Sequence, residues 1–158
     1  MMMLQSLGRW LESTALSRWI QSTHGAIADI QVVHILALAT LFALALNLSL
    51  RIAGHGLTAE PVPRLAARFV PAIWICLTIL LITGTLLIVA EPGRAIFNTV
   101  FYTKMMLVLL AISFTLWLSS VARRQEGKPT RLHTAAAVLY MLIWISVIVA
   151  GRFIAYTV

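Results

Sequence analysis

The sequence predicts an all-α fold: a transmembrane four-helix up-down bundle with an N-terminal amphipathic interfacial helix. Three observations lead there. Four apolar runs, residues 27–50, 69–89, 100–121 and 135–155, are each long enough to cross a bilayer. A span needs about 20 residues, because each rises about 1.5 Å and the hydrocarbon core is about 30 Å thick. That core offers backbone N–H and C=O groups no water, so each run must be a helix that satisfies them internally. The composition agrees: apolar residues make up 61% of the 158 and charged ones 11%, where soluble domains carry about 25% charged. The mean hydropathy is +0.95.

Residues 1–23 form an interfacial segment and residues 24–158 the transmembrane domain. Leu4, Leu7 and Leu11 share one helical face with Trp10 beside it, and Leu16, Trp19 and Ile20 make a second apolar patch after Ser13-Thr14. Such a segment lies in the membrane interface with tryptophan at headgroup depth. Arg9, Glu12 and Arg18 interrupt it, so it is not a signal peptide. Glu60-Pro61-Val62-Pro63 bounds the first hairpin, Glu91-Pro92-Gly93 ends the second span, and Gly127-Lys128-Pro129 ends the third. Thr130 is the expected N-cap of the last helix and Pro71 a candidate kink in the second. Short loops between successive spans favour antiparallel neighbours.

Loop charge orients the bundle. Arg51, Arg64 and Arg68 follow the first span; Arg123, Arg124, Lys128 and Arg131 follow the third. The opposite side has Arg9, Arg18 and Arg94, with Lys104 and Arg152 inside span ends. The positive-inside rule puts both hairpin loops in the cytoplasm and both termini outside, periplasmic in a bacterial inner membrane. The net charge of +7 is thereby read as topology and contact with anionic lipid headgroups, not as nucleic-acid binding. The one cysteine, Cys76, sits within the second span and has no partner in the chain.

Ionisable residues inside spans are costly and mark functional sites. Here they are Asp29, His34, Lys104 and Arg152, all in the outer half of the bilayer under this orientation. His24, Gln31 and His34 are spaced by seven and three residues and would line one stripe of the first helix, with Gln31 placed to orient His34. His34 suits an axial metal ligand, a proton carrier or a quinone hydrogen-bond partner, and equally a simple bond to a neighbouring helix. Lys104 and Arg152 either snorkel to headgroups or, with Asp29 the only acid among them, make a net positive pocket for a carboxylate such as a haem propionate or for a lipid phosphate. Thr78, Thr83, Thr85, Ser113 and Thr115 read as interhelical hydrogen bonders, with Gly84 allowing close approach. There is no zinc-ligand spacing, phosphate-binding glycine loop or carboxylate pair.

Trp10-Leu11-Glu12-Ser13-Thr14-Ala15-Leu16, Val33-His34-Ile35-Leu36-Ala37-Leu38-Ala39, Thr83-Gly84, Asn98 through Phe101 to Lys104, and Gly151-Arg152-Phe153-Ile154-Ala155-Tyr156 follow one another along nearly the whole chain. In that order they resemble a family of small uncharacterised bacterial four-span inner-membrane proteins. More distantly, the histidine of span one and Phe101-Tyr102-Thr103-Lys104-Met105-Met106 resemble the superfamily of copper-resistance D membrane proteins and membrane protoporphyrinogen IX oxidases. That resemblance implies haem b, with His34 and Lys104 as the residues that serve it. Those relatives carry another histidine late in span three, whereas residues 112–119 here have none. A five-coordinate haem, another second ligand or no haem are the alternatives. The expected role is a non-catalytic accessory subunit of a larger membrane complex. The alternatives are a haem-b or quinone electron-transfer protein centred on His34, or a porphyrin-oxidising enzyme. Its partners would be membrane lipids and other membrane subunits or a second copy, with no nucleic acid.

Overall fold

The computed structural model describes residues 2–55, 60–125 and 127–154, apart from the side chains of residues 2–5, 7 and 94. Seven helices follow one another: α1 (Met2–Glu12), α2 (Ala15–Ser22), α3 (Ala26–Ile52), α4 (Val62–Ala90), α5 (Pro92–Ile96), α6 (Thr99–Arg124) and α7 (Arg131–Phe153). Of these, α3, α4, α6 and α7 are long and apolar enough to cross a membrane. The chain is therefore a small integral, multi-pass membrane protein built as a helical bundle.

Each long helix outruns the apolar stretch that announced it, except at the end of α7. The largest gain is at the start of α4, which begins at Val62 and not near residue 69. Arg64 and Arg68 halt a lipid-compatible run, but they do not halt a helix. Val62, Leu65 and Ala66 are buried against the neighbours there. Pro61 and Pro63 flank that start, where a missing N–H breaks no helical bond. The helix continues through Pro71. Thr130 caps α7 as expected: its hydroxyl accepts the His133 N–H, and the His133 ring accepts the Thr130 N–H. His24 departs from expectation. It lies in the turn before α3, whose N-cap Gly25 has φ +85°. It therefore shares no helical stripe with Gln31 and His34.

The four long helices form a ring in which α3 packs on α4 and α7, and α6 packs on α4 and α7. Thus α3 and α6 stand on one diagonal. The apolar core runs from the two hairpin loops to about the middle of α3, α4 and α6, and further along α7. It uses Leu41, Ala45, Leu48 and Ile52 of α3, Leu65, Val70 and Ile73 of α4, Ala111 and Leu118 of α6, and Tyr140, Trp144 and Val147 of α7. Toward the other end this apolar set gives out. That end is closed by the short helices. Ser17 and Ile20 of α2 are buried, and Gln21 donates to the Ala90 carbonyl at 2.8 Å. Leu16 and Trp19, expected to lie with Ile20, face outward, as does Trp10. Asn98 caps α6 by accepting the Val100 N–H at 2.9 Å and also reaches the Ile154 carbonyl.

One buried polar contact ties α6 to α7. The Thr115 hydroxyl donates to Ala111 O at 2.7 Å, so at its 2.8 Å contact with Tyr140 the phenol must be the donor. Tyr140 also stacks on Phe114, with ring centroids 5.9 Å apart. Tyr140→Phe removes only the phenol hydroxyl. It is expected to cost about 0.6–1 kcal/mol, the usual size for such a bond between membrane helices. Reversible unfolding in mixed micelles measures this, and an unchanged midpoint would show that the bond adds nothing to stability.

Candidate functional site

His34 lies in the third turn of α3, above the apolar core, and is half-buried. Its Nδ1 is 2.8 Å from the Thr83 hydroxyl on α4. That hydroxyl is 2.7 Å from the Ile79 carbonyl one turn back. A hydroxyl has a single hydrogen, and two oxygens at 2.7 Å without one between them repel. Thr83 therefore donates to Ile79 and accepts from His34. Nδ1 carries the ring proton and Nε2 is left with its lone pair, the arrangement that suits a ligating or hydrogen-bond-accepting imidazole. The next residue is Gly84, where a Cβ would stand 3.5 Å from His34 Cε1. Glycine there lets the ring lie close over the α4 backbone.

Lys104 enters from the opposite corner. It sits in the second turn of α6, half-buried, with its stem and ammonium against Gly151 of α7. A Cβ at 151 would be 3.6 Å from Nζ. Counted from the hairpin-loop ends, His34 stands 18 residues up α3 and Lys104 20 residues up α6, so the two lie at about the same depth. Two helices on one diagonal thus supply a bare imidazole nitrogen and an ammonium at one level, where the neighbouring helices each present a glycine.

The other sequence candidates are placed differently. Asp29 and Gln31 are exposed on α3, and Arg152 is exposed in the last turn of α7, directly after Gly151. Gln31 does not hold the ring; Thr83 does. Thr83 and Gly84 were visible in the sequence as an interhelical bond and a close approach, but nothing there named His34 as the partner. Among the described residues no three His, Cys, Asp or Glu side chains come together as a metal would require. A metal here would need to bring most of its own ligands.

A family match covers this whole arrangement, running over residues 7–157. The chain belongs to the DUF6644 family of unknown function. No curated protein and no solved structure matches it. The DUF6644 assignment agrees with the likeness to an uncharacterised family. It carries no copper-resistance or protoporphyrinogen-oxidase name.

The assigned tautomer is directly measurable. In ¹⁵N-histidine-labelled protein whose other histidines are replaced, His34 should give the Nδ1–H signature. Thr83→Val should shift the population toward Nε2–H, while Thr83→Ser should restore the original pattern. An Nε2–H ring in the unsubstituted site would refute the assignment.

Proposed function

We propose that this DUF6644 protein is an electron-carrying accessory subunit of a bacterial inner-membrane complex and holds haem b in the outer half of its bundle. The observation that carries the reading is the Thr83 hydroxyl, which takes the Nδ1 proton and leaves Nε2 of His34 bare. The donor set fits the group. A porphyrin supplies four nitrogens itself and needs one axial base, which His34 offers, and its acidic side chains need a cation, which Lys104 offers. Gly84 and Gly151 keep the helix surfaces low at that level. When bound, haem iron supplies one-electron transfer. The chain's own residues fix the imidazole, hold the carboxylate and exclude water. The distant likeness to haem-binding four-span proteins points the same way.

Protein purified in mild detergent from its own membrane should show a Soret band at about one haem per chain. His34→Ala should abolish the band, and Lys104→Gln should weaken retention. Unchanged spectrum and stoichiometry in His34→Ala would put the ligand elsewhere, and a preparation without any ring would leave a cofactor-free accessory subunit.

Orientation belongs to the same proposal, since it decides which face of the membrane the site serves. Arg123, Arg124, Lys128 and Arg131 support a cytoplasmic position for the α6–α7 loop and hence periplasmic termini. With Cys76 replaced by alanine, a cysteine at the exposed position 128 should react only with a reagent supplied from the cytoplasmic side. Labelling only from outside would invert the topology.

A further inference from the structure

The inward faces of the four long helices can be followed, by spacing, from the packed core toward the outer end. On α3 the buried face of Leu48, Leu41 and Ala37 continues to His34 and then Ile30. On α6 the face of Leu118 and Ala111 passes through Val108 to Lys104 and Phe101. On α4, Leu77 and Leu80 lead to Gly84 and Leu87; on α7, Tyr140 and Val147 lead to Gly151 and Ile154. Steps of three and four keep each set on one side of its helix.

His34, Gly84, Lys104 and Gly151 thus make one inward layer between two apolar ones. Beneath it Leu80 and Val108 pack on the core and Val147 belongs to it. Above it, one turn nearer the outer end, each helix puts a single large apolar residue: Ile30, Leu87, Phe101 and Ile154. All four are half-buried, as are His34 and Lys104. Two of the four positions in the middle layer have no side chain, and Lys104 carries its only charge.

An apolar ring is a barrier to ions. A charge that passes it sheds its water and meets no partner, and a narrow apolar constriction dewets. At the sides of the same layer the surroundings are lipid, and the seams of α3 with α7 and of α4 with α6 are the looser pair in the bundle. We infer that Ile30, Leu87, Phe101 and Ile154 form a collar that screens the His34–Lys104 layer from the aqueous phase, so that the site takes a lipid-soluble anion directly from the bilayer. The exposure that His34 and Lys104 keep is then exposure to lipid. Haem b, an apolar ring with two carboxylates, is of that class. This route rests on the reading of that layer as a ligand site and adds how the ligand reaches it.

Lys104 and Lys128 are the only lysines of the chain, and Lys128 is exposed after α6, so every preparation carries its own control. Protein made in cells given no haem precursor is set in vesicles and treated at alkaline pH with phenyl isothiocyanate or its para-sulfonated form on both faces. A lysine amine adds across the C=N bond of either reagent to give a thiourea, with no leaving group, and mass spectrometry of the peptides counts it. Phenyl isothiocyanate, which dissolves in lipid, should mark both lysines. The sulfonated reagent should mark Lys128 and react with Lys104 about a hundredfold less, the discrimination that one charge meets in an apolar layer. Ile30→Ser and Leu87→Ser should each admit the sulfonated reagent to Lys104. Oleate should protect Lys104 from the apolar reagent, and its methyl ester should not. Equal marking of Lys104 by both reagents in the unsubstituted protein overturns the inference, and so does marking by neither. Equal protection by oleate and its ester overturns it too, as does a Lys104 that stays closed to the sulfonated reagent in both serine variants. The first comparison needs no variant, so misfolding cannot mask the answer. It is made without haem, so its outcome is separate from the presence or absence of a Soret band.

Discussion

Hydrocarbon offers no hydrogen-bond partners, and most polar groups of the four long helices are arranged around that constraint. The backbone answers it by being helical. Most hydroxyls answer it locally. Thr40, Thr78, Thr85, Thr103, Ser113, Ser120 and Ser146 all face outward and bond the carbonyl four residues back, so they cost little and join nothing. Thr83 and Thr115 make the same backward bond but face inward. With their hydrogen committed, each becomes an acceptor for a donor on the next helix. In one case that donor is Tyr140, and the result is packing. In the other it is His34, and the result is an imidazole of defined tautomer.

The two ends of the bundle are therefore built on different terms. Near the hairpin loops, large apolar side chains interdigitate around Leu41, Ile73, Leu118 and Trp144, and dispersion and shape hold the helices together. At the other end that filling stops, and His34 and Lys104 occupy the level where two glycines face them. A protein selected for rigidity alone would continue the leucine and valine pattern upward. The change in composition along the bundle axis separates a half filled with apolar side chains from one that carries His34 and Lys104.

Much of the fold could be read from residue types alone. Four apolar runs of bilayer length admit few architectures, and Thr130 announced its own cap. Helix ends were less legible, because the pattern that marks a span reports compatibility with lipid. Val62 to Arg68 is helical for reasons of contact with other helices. Of the site, His34 and Lys104 stood out because charge and imidazole are rare in apolar runs. That Asp29, Gln31 and Arg152 are exposed did not stand out, since neighbours along one helix are often on different faces. The pairing of His34 with Thr83 spans 49 positions and depends on the register of two antiparallel helices, which no local pattern encodes.

The diagonal placement of α3 and α6 bears on how the molecule is made. Insertion proceeds from the N-terminus, so the first helical hairpin, α3 with α4, emerges before the second. That hairpin alone contains His34, Thr83 and Gly84, and can set the imidazole. Lys104 and Gly151 arrive only with α6 and α7. A nascent chain thus carries an oriented histidine without its cation until the two halves dock, and the completed pair is a signature of finished assembly.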